Sequence, residues 1–533
     1  MTGKFGLVAL VILVAALCVG SARTDSATVD EPAHIAAGMI DLSQGWIGFY
    51  HGQVPLMNSI SAVPLAAAGY RMPDGWKGGP DEWSVGRRFI YQSGYPAHRV
   101  LFLARLPAIL LFLALCVVVY LFVLRQTGSV WWALTAAAMT GFCPNLMAHG
   151  RLATVDCGMT VFAFVSTLAM FRLIEEASIA RAVLLGISVA AAMLTKISAL
   201  ILGPYFVIVI AGAFALRRVR DWRRFTGMLA LACGIAIVAI ETFLVAEMSL
   251  AYVAAQYPDT PRFFVPFVYY SDVVRYIRTF YSQSNEILQY RLGNISRSGW
   301  RDYYLVAFLL KTTLPAIILF IAAVVAGIRS RSFELYALLT FVVLFMAAAS
   351  AGHIDLGIRY VLPIYPFIYA AIAIAFGRQQ QTRGLRVVIA ILVLWHAGEN
   401  LISYPSHIAY FNELIGSTRN ADKFLIDSNL DWGQDLRRLD QWCRQRGIKQ
   451  ISVHYFGGAD IAYDMRWTQA RIISAPPLTP LPRGYFAVSR HLYRLSRGIW
   501  GIDYDACLAA QHARYVTSIG GSINVYEVGV TAR

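Results

Sequence analysis

Charge is what this chain has least of. Of its 533 residues only 14% are Asp, Glu, Lys or Arg, while 57% are hydrophobic, and mean hydropathy is +0.54. No soluble globular protein needs that much apolar surface, so a polytopic membrane protein is expected. Acidic residues are the scarcer sign, 31 against 46 Lys and Arg, which leaves a net charge of +15. The arginines stand in short clusters between apolar runs. That placement sets membrane orientation and argues against a nucleic-acid partner. Cysteine is also sparse. Cys18, Cys116, Cys143, Cys157 and Cys233 lie in or beside apolar segments without metal-ligand spacing and read as small core residues. Cys443 and Cys507 lie in the polar C-terminal part and could pair outside the cytoplasm, although nothing in their spacing demands it. There is no P-loop and no convincing G-x-G-x-x-G, so no nucleotide site is indicated. Internal repeats and long low-complexity tracts are missing as well.

What is present is a series of about eleven apolar segments near spanning length. They fall near 5–22, 100–124, 130–147, 153–174, 181–196, 198–216, 225–247, 304–328, 333–351, 357–377 and 385–403, the boundary around Lys196 being the least marked. Arg125, Arg172 with Arg181, the Arg217–Arg224 cluster, Arg329 with Arg331, and Arg378 with Arg383 follow the even-numbered segments. Those exits are therefore cytoplasmic, and an odd total puts the C-terminal region outside. The first segment has the charged start and the small residues of a signal peptide and is expected to be retained. Outside lie two large loops, 23–99 and 248–303, and the tail 405–533. "DLRRLDQWCRQRG" reads as a helix, and "KFLID", "QISVHYF", "GYFAVS" and "INVYEV" read as strands. The expected fold is a polytopic α-helical membrane module, 1–404, with a small extracytoplasmic α/β domain, 405–533.

Beyond the first segment comes "DEPAHIAAG". Asp30 suits a helix cap, and Glu31 and Pro32 suit the first turn. His34 lies one turn on, on the same face. Ile35, Met39, Ile40 and Leu42 form an apolar side that could lie on the membrane surface. Local chemistry alone accounts for the cluster as a cap, a dipole partner and a solvated neighbour.

The cluster does not stand alone. "DEPAHIAAG", "NLMAHGRLATVD" (145–156), "GWRDYYLVAFLLKTTLP" (299–315), "LGIRYVLPIYPF" (356–367), "YPSHIAYFNELIG" (404–416) and "DSNLDWGQDL" (427–436) follow one another along nearly the whole chain. Together they resemble the lipid-carrier-dependent glycosyltransferases of the membrane-embedded GT-C class, which includes protein O-mannosyltransferases and lipid A aminoarabinose transferases. The resemblance implies a fold of that type and transfer of a sugar from a polyprenyl phosphate to an acceptor outside the cytoplasm, with inversion. One departure stands out. Where the family carries His-Pro-Pro-Leu, this chain has "HGQVPLMN" (51–58), with His51 out of register.

Such a reaction needs a base, a cationic partner for the leaving phosphate, an apolar groove for the lipid and a dry sugar pocket. Asp30 is the candidate base and Glu31 its neighbour. By resemblance Asp156 is a second external carboxylate, with Arg151 placed to orient it or to touch phosphate. Arg359 stands at an outer helix end against the positive-inside trend, which an anionic partner would explain; its alternative is a salt bridge to Asp355. Lys311 lies inside an apolar segment, where a lysine needs a partner, either the phosphate or a carboxylate. Tyr303, Tyr304 and Tyr360 suit a sugar pocket or an interfacial belt, and His34 and His51 are further substrate-binding candidates. In the tail, Asp427, Asn429, Asp431 and Gln434 suit a recognition surface, and Asp435 a helix start. No organic cofactor is required, because the donor is already activated. A divalent metal stays open: Asp30, Glu31, His34, His51 and Asp156 include suitable ligand atoms, but no motif fixes a geometry. The expected partners are the lipid-linked donor, an unidentified acceptor and membrane lipids. A bacterial inner membrane is favoured, since "GVTAR" at the end is no retention signal. The rival readings are a transporter, disfavoured by the lack of paired broken segments, and a scaffold that has lost activity.

Overall fold

The computed structural model describes residues 2–44, 54–73, 81–247, 258–259, 261, 271–275, 279, 287–330, 332–352, 354–379, 381–416, 418–473 and 480–529. Each apolar segment expected to span is helical. Seven helices among the described residues are long and apolar enough to cross a membrane. The pair Tyr303–Lys311 and Leu314–Gly327 is apolar and long enough only when taken together, and it is bent by 114° at the break, the geometry of a broken span or a re-entrant loop. The bend follows from Thr312, whose backbone is extended, and from Pro315, which can enter a helix only in its first turn. The remaining segments are shorter helices. Val130–Gly141 is cut off from Pro144–His149 by Pro144, and Ile364–Gly377 is preceded by the 3-10 turn Ile358–Val361. Ile179–Met193 completes the set. This is a polytopic α-helical membrane fold.

Burial ranks the helices. Ile364–Gly377 is apolar on all sides and buried from Ile364 to Phe376, so it forms the centre of the bundle. Arg383–Ser403 exposes most of its apolar side chains and lies at the periphery. The helix Asp156–Glu175 has its two ends about 30 Å apart. Glu175 pairs with Arg125 at one end, while Asp156 begins the other.

Above the Asp156 end, the first loop folds into helices Glu31–Gln44, Leu56–Ala67 and Glu82–Gln92. Of the apolar side that could lie on the membrane surface, Ile35, Met39 and Ile40 are buried against the neighbouring loop helices, and Leu42 alone is exposed. Gly86 permits this packing, because a Cβ there would stand 2.0 Å from the Pro32 carbonyl oxygen.

The tail carries a five-stranded sheet of β3 (Gln450–His454), β4 (Gln469–Ile472), β5 (Gly484–Ser489), β6 (Arg514–Ile519) and β7 (Ile523–Val528) in the order β4-β3-β5-β7-β6. β3 pairs in parallel with β4 and β5, and the β5–β7 and β7–β6 pairs are antiparallel. A short antiparallel hairpin, β1 (Gln289–Arg291) with β2 (Asn294–Ser296), precedes the bent pair. Three of the four expected strands are present. "KFLID" is not one: Ala421–Phe424 is a helical turn, Leu425 makes a single bridge to Arg291, and Asp427–Asn429 is a 3-10 turn. Cys443 and Cys507 are both free thiols and sit in separate clusters.

Candidate active site

Two antiparallel helices build the first half of the site. Asp156 starts Asp156–Glu175, the chain turns at residues 176–178, and Ile179–Met193 runs back beside it. That return delivers Lys196 to Asp156, with Nζ 2.6 Å from Oδ1. The second half is the 3-10 turn carrying Arg359. Gly357 lets this turn approach the tail, since a Cβ there would stand 2.1 Å from Ser428 Oγ, and its φ of +153° suits glycine.

Arg359 joins the halves. Its Nη1 is 2.9 Å from Asp30 Oδ2 and 3.6 Å from Asp156 Oδ2, and its Nε donates to Ser428 Oγ at 3.2 Å. The guanidinium lies 4.3 Å from the Trp432 ring centre and 5.0 Å from that of Tyr360. Lys196 lies 4.8 Å from the same Tyr360 ring. Two carboxylates and two cations thus meet beneath aromatic faces at one end of the bundle. The cluster is not saturated. Asp156 Oδ2 accepts no hydrogen bond from the described residues, and Asp30 and Lys196 keep 16% and 13% of their side chains exposed. Beside Tyr360 opens an apolar cavity of about 320 Å³, lined by Ser198, Leu200, Ile201, Tyr304 and Phe345 among others.

Several expected members are placed elsewhere. Glu31 faces away from the cluster and takes five donors. These are Arg105 through Nε at 2.7 Å and Nη2 at 2.6 Å, the Thr28 amide and hydroxyl, and the Ala153 amide. Burial opposes its charge, but Arg105 and these hydrogen bonds hold the carboxyl below the usual glutamate range. Its supporting role is structural. Arg151 pairs with Asp25 at 2.8 Å, not with Asp156. Lys311 does not reach the cluster. Its ammonium donates to the carbonyls of Ile408 at 2.8 Å, Asn429 at 2.6 Å and Tyr410, which uses all three protons. The phosphate role expected of Lys311 therefore has no free donor behind it.

His34 is buried with Nδ1 2.8 Å from Asn58 Oδ1, and burial pushes it below the usual imidazole range. Tyr303 accepts a hydrogen bond from Asn429 Nδ2 and is buried, so Tyr360 is the tyrosine that faces the cations. Asp355 accepts the Trp300 amide and does not pair with Arg359. His51 lies outside the described residues. Of the expected tail surface, Asn429, Asp431 and Gln434 are interior, and Asp427 is partly exposed. Asn429 accepts the Ile358 amide, Asp431 the amides of Gly433 and His491, and Gln434 that of Trp432. Among the described residues no three His, Cys, Asp or Glu side chains gather as a metal site.

Lys196, which the structure brings to Asp156, was not among the expected site residues, although the signal was there. It is a lysine between two apolar segments at the outer end, which is the argument that singled out Lys311.

Residues 97–245 match the dolichyl-phosphate-mannose-protein mannosyltransferase family. This stretch contains Asp156 and Lys196, half of the charged cluster, and the chain resembles lipid-carrier-dependent glycosyltransferases of that kind. Among solved structures, the chain is similar to ArnT from Cupriavidus metallidurans bound to undecaprenyl phosphate. Identity is 14%, coverage is 99% of this chain and 98% of that one, and the TM-score is 0.48. Apo ArnT gives 15% identity with the same coverage and a TM-score of 0.49. The archaeal oligosaccharyltransferase AglB from Archaeoglobus fulgidus, in complex with an inhibitory peptide and a dolichol-phosphate, gives 10% identity, coverage of 98% and 74%, and a TM-score of 0.48. No curated protein matches.

Proposed function

We propose that this chain is an integral membrane glycosyltransferase that moves a sugar from a polyprenyl phosphate to an acceptor on the extracytoplasmic face. The observation that carries the reading is Arg359. It is a buried arginine balanced between Asp30 and Asp156, with Lys196 beside it and an apolar cavity against Tyr360. The segment match to a mannosyltransferase family supports the same class.

The chemistry follows from the charges. A lipid phosphate entering beside Tyr360 brings an anion to Arg359 and Lys196, with its chain directed into the apolar cavity. Arg359 then exchanges Asp30 for phosphate oxygens, which a guanidinium binds through two parallel N–H groups. As the anomeric carbon–oxygen bond breaks, the negative charge left on the phosphate is met by preorganised cations. Asp30, released from Arg359, accepts the proton of the attacking acceptor group. Asp156 stays ion-paired and holds Lys196 in place. The donor arrives activated, so the reaction takes no nucleotide. The orientation of the arginine clusters supports an extracytoplasmic site, and a bacterial inner membrane is the setting we assign.

The test is transfer by purified full-length protein in lipid. Polyprenyl-phosphate sugars are offered with membrane-extracted acceptors, wild type beside Asp30→Asn and Arg359→Gln. Consumption of one donor by wild type, reduced about 10²–10⁴-fold in Asp30→Asn as loss of a general base implies, establishes the class. Wild-type protein that is folded and consumes no donor overturns it in favour of a transporter or scaffold.

A further inference from the structure

Asp427 stands beside the cluster without a role in the reading above. It directly precedes Ser428, the hydroxyl partner of Arg359. Its backbone is left-handed, φ +57°, a conformation that Asp and Asn tolerate better than other side chains bearing a Cβ. Oδ1 accepts the Ser428 amide at 2.6 Å, and 17% of the side chain remains exposed. Facing it is His491, whose Nδ1 is 3.8 Å from Asp427 Oδ2, too far for a hydrogen bond. That Nδ1 is buried and has no hydrogen-bond partner among the described residues. The His491 ring stacks on Phe456 at 3.8 Å, and Phe456 packs in the same cluster as Trp432, on which Arg359 lies.

These parts have a common chemistry. A carboxylate accepts a hydroxyl proton. A neutral ring nitrogen offers the same hydroxyl its second hydrogen bond. Flat aromatic faces suit the C–H side of a pyranose or furanose ring. The two polar atoms are close enough for one hydroxyl seated beside the line between them to reach both. We propose that Asp427 and His491 form the subsite for the sugar carried on the lipid phosphate, so that the tail domain reads which sugar is moved. The proposal rests on Arg359 and Lys196 being the phosphate site, which fixes the anomeric end next to Asp427. Burial pushes the Asp427 carboxyl up to about 6, which leaves it ionised and accepting at neutral pH, and burial holds His491 neutral, pushed down to about 3.

The test is binding of two probes to full-length protein in nanodiscs: bare polyprenyl phosphate and polyprenyl phosphates bearing mannose, glucose, N-acetylglucosamine or aminoarabinose. Wild type is compared with Asp427→Asn, which keeps the shape, and Asp427→Gly, which fits the backbone and empties the site. The expected result has three parts. Wild type prefers one sugar-bearing lipid over the bare lipid, both variants bind bare lipid as wild type does, and both lose about tenfold of the preference, the loss expected for a hydrogen bond to a charged group. Variants that keep the wild-type preference overturn the subsite, as does a wild type with no preference for any sugar. Variants that lose bare-lipid binding as well make Asp427 a structural residue. A wild type that binds neither probe overturns the phosphate reading itself.

Discussion

Asp30 and Glu31 are neighbours in the chain, and each meets a buried arginine, yet their surroundings are opposite. Arg105 spends every N–H on Glu31 and on the carbonyls of Ala22, Asp25 and Ser26. Both oxygens of Glu31 are filled in return. Around Arg359 the same residue types leave capacity unused: an oxygen of Asp156 without a hydrogen bond, and carboxylate and ammonium groups still reached by solvent. A saturated ion pair has nothing left to offer a ligand and serves the fold. An unsaturated one keeps polar capacity that a ligand could fill. Residue type does not distinguish the two knots; the completeness of their hydrogen bonding does.

The sharpest way to break that contrast is to exchange the roles by mutation. Glu31→Gln leaves Arg105 charged, buried and short of a partner. It should cost about 3–5 kcal/mol, seen as a large fall in melting temperature or as loss of monodisperse protein. Lys311→Met comes next. It strands three buried carbonyls and should cost at least about 2 kcal/mol, while the protein that does fold binds polyprenyl phosphate normally. If that binding is lost selectively, Lys311 belongs to the site after all. Asp30→Asn should change the melting temperature little while lowering turnover about 10²–10⁴-fold, the reverse of Glu31→Gln. A melting loss equal to that of Glu31→Gln would erase the distinction.

The smallest effect is on pH dependence. Burial pushes the carboxyls of Asp427 and Asp431 up to about 6 and about 7, above the ordinary aspartate value. Folding therefore favours their protonated forms. The stability they contribute is fully present below about pH 4 and is lost as pH rises through 6 to 7. Amide exchange in the strands β3, β5 and β7 should thus be slower at pH 5 than at pH 8, after correction for intrinsic rates. A flat profile would show that neither carboxyl changes its protonation on folding.

Much of the membrane module was legible because apolar length is a local property: every segment read as a span is helical. Arg359 drew notice because a charge against the orientation trend needs an anion; the anions the structure supplies are Asp30 and Asp156, not the Asp355 weighed beside a phosphate. Glu31 misled because, beyond the local contact with Thr28, its partners are a side chain at 105 and a backbone amide at 153, which no short window joins. Lys311 misled for the same reason, since carbonyls leave no mark in a sequence. "KFLID" is a short apolar run that reads as a strand, but Asp427 turns left-handed at its end and the run closes as a 3-10 turn. The burial of Asn429, Asp431 and Gln434 was hidden because polar residues that satisfy a folded loop look the same as polar residues that await a ligand.

The three carbonyls that hold Lys311 belong to Ile408, Tyr410 and Asn429. All lie in the last quarter of the chain, which leaves the ribosome after every span. Until that segment docks, the bent pair carries an ammonium with no partner, and Arg359 lacks Ser428 and Trp432. The order of synthesis therefore keeps the charged cluster incomplete during membrane insertion, and a chain truncated before residue 405 would lack the carbonyls that hold Lys311 and the Ser428 and Trp432 contacts of Arg359.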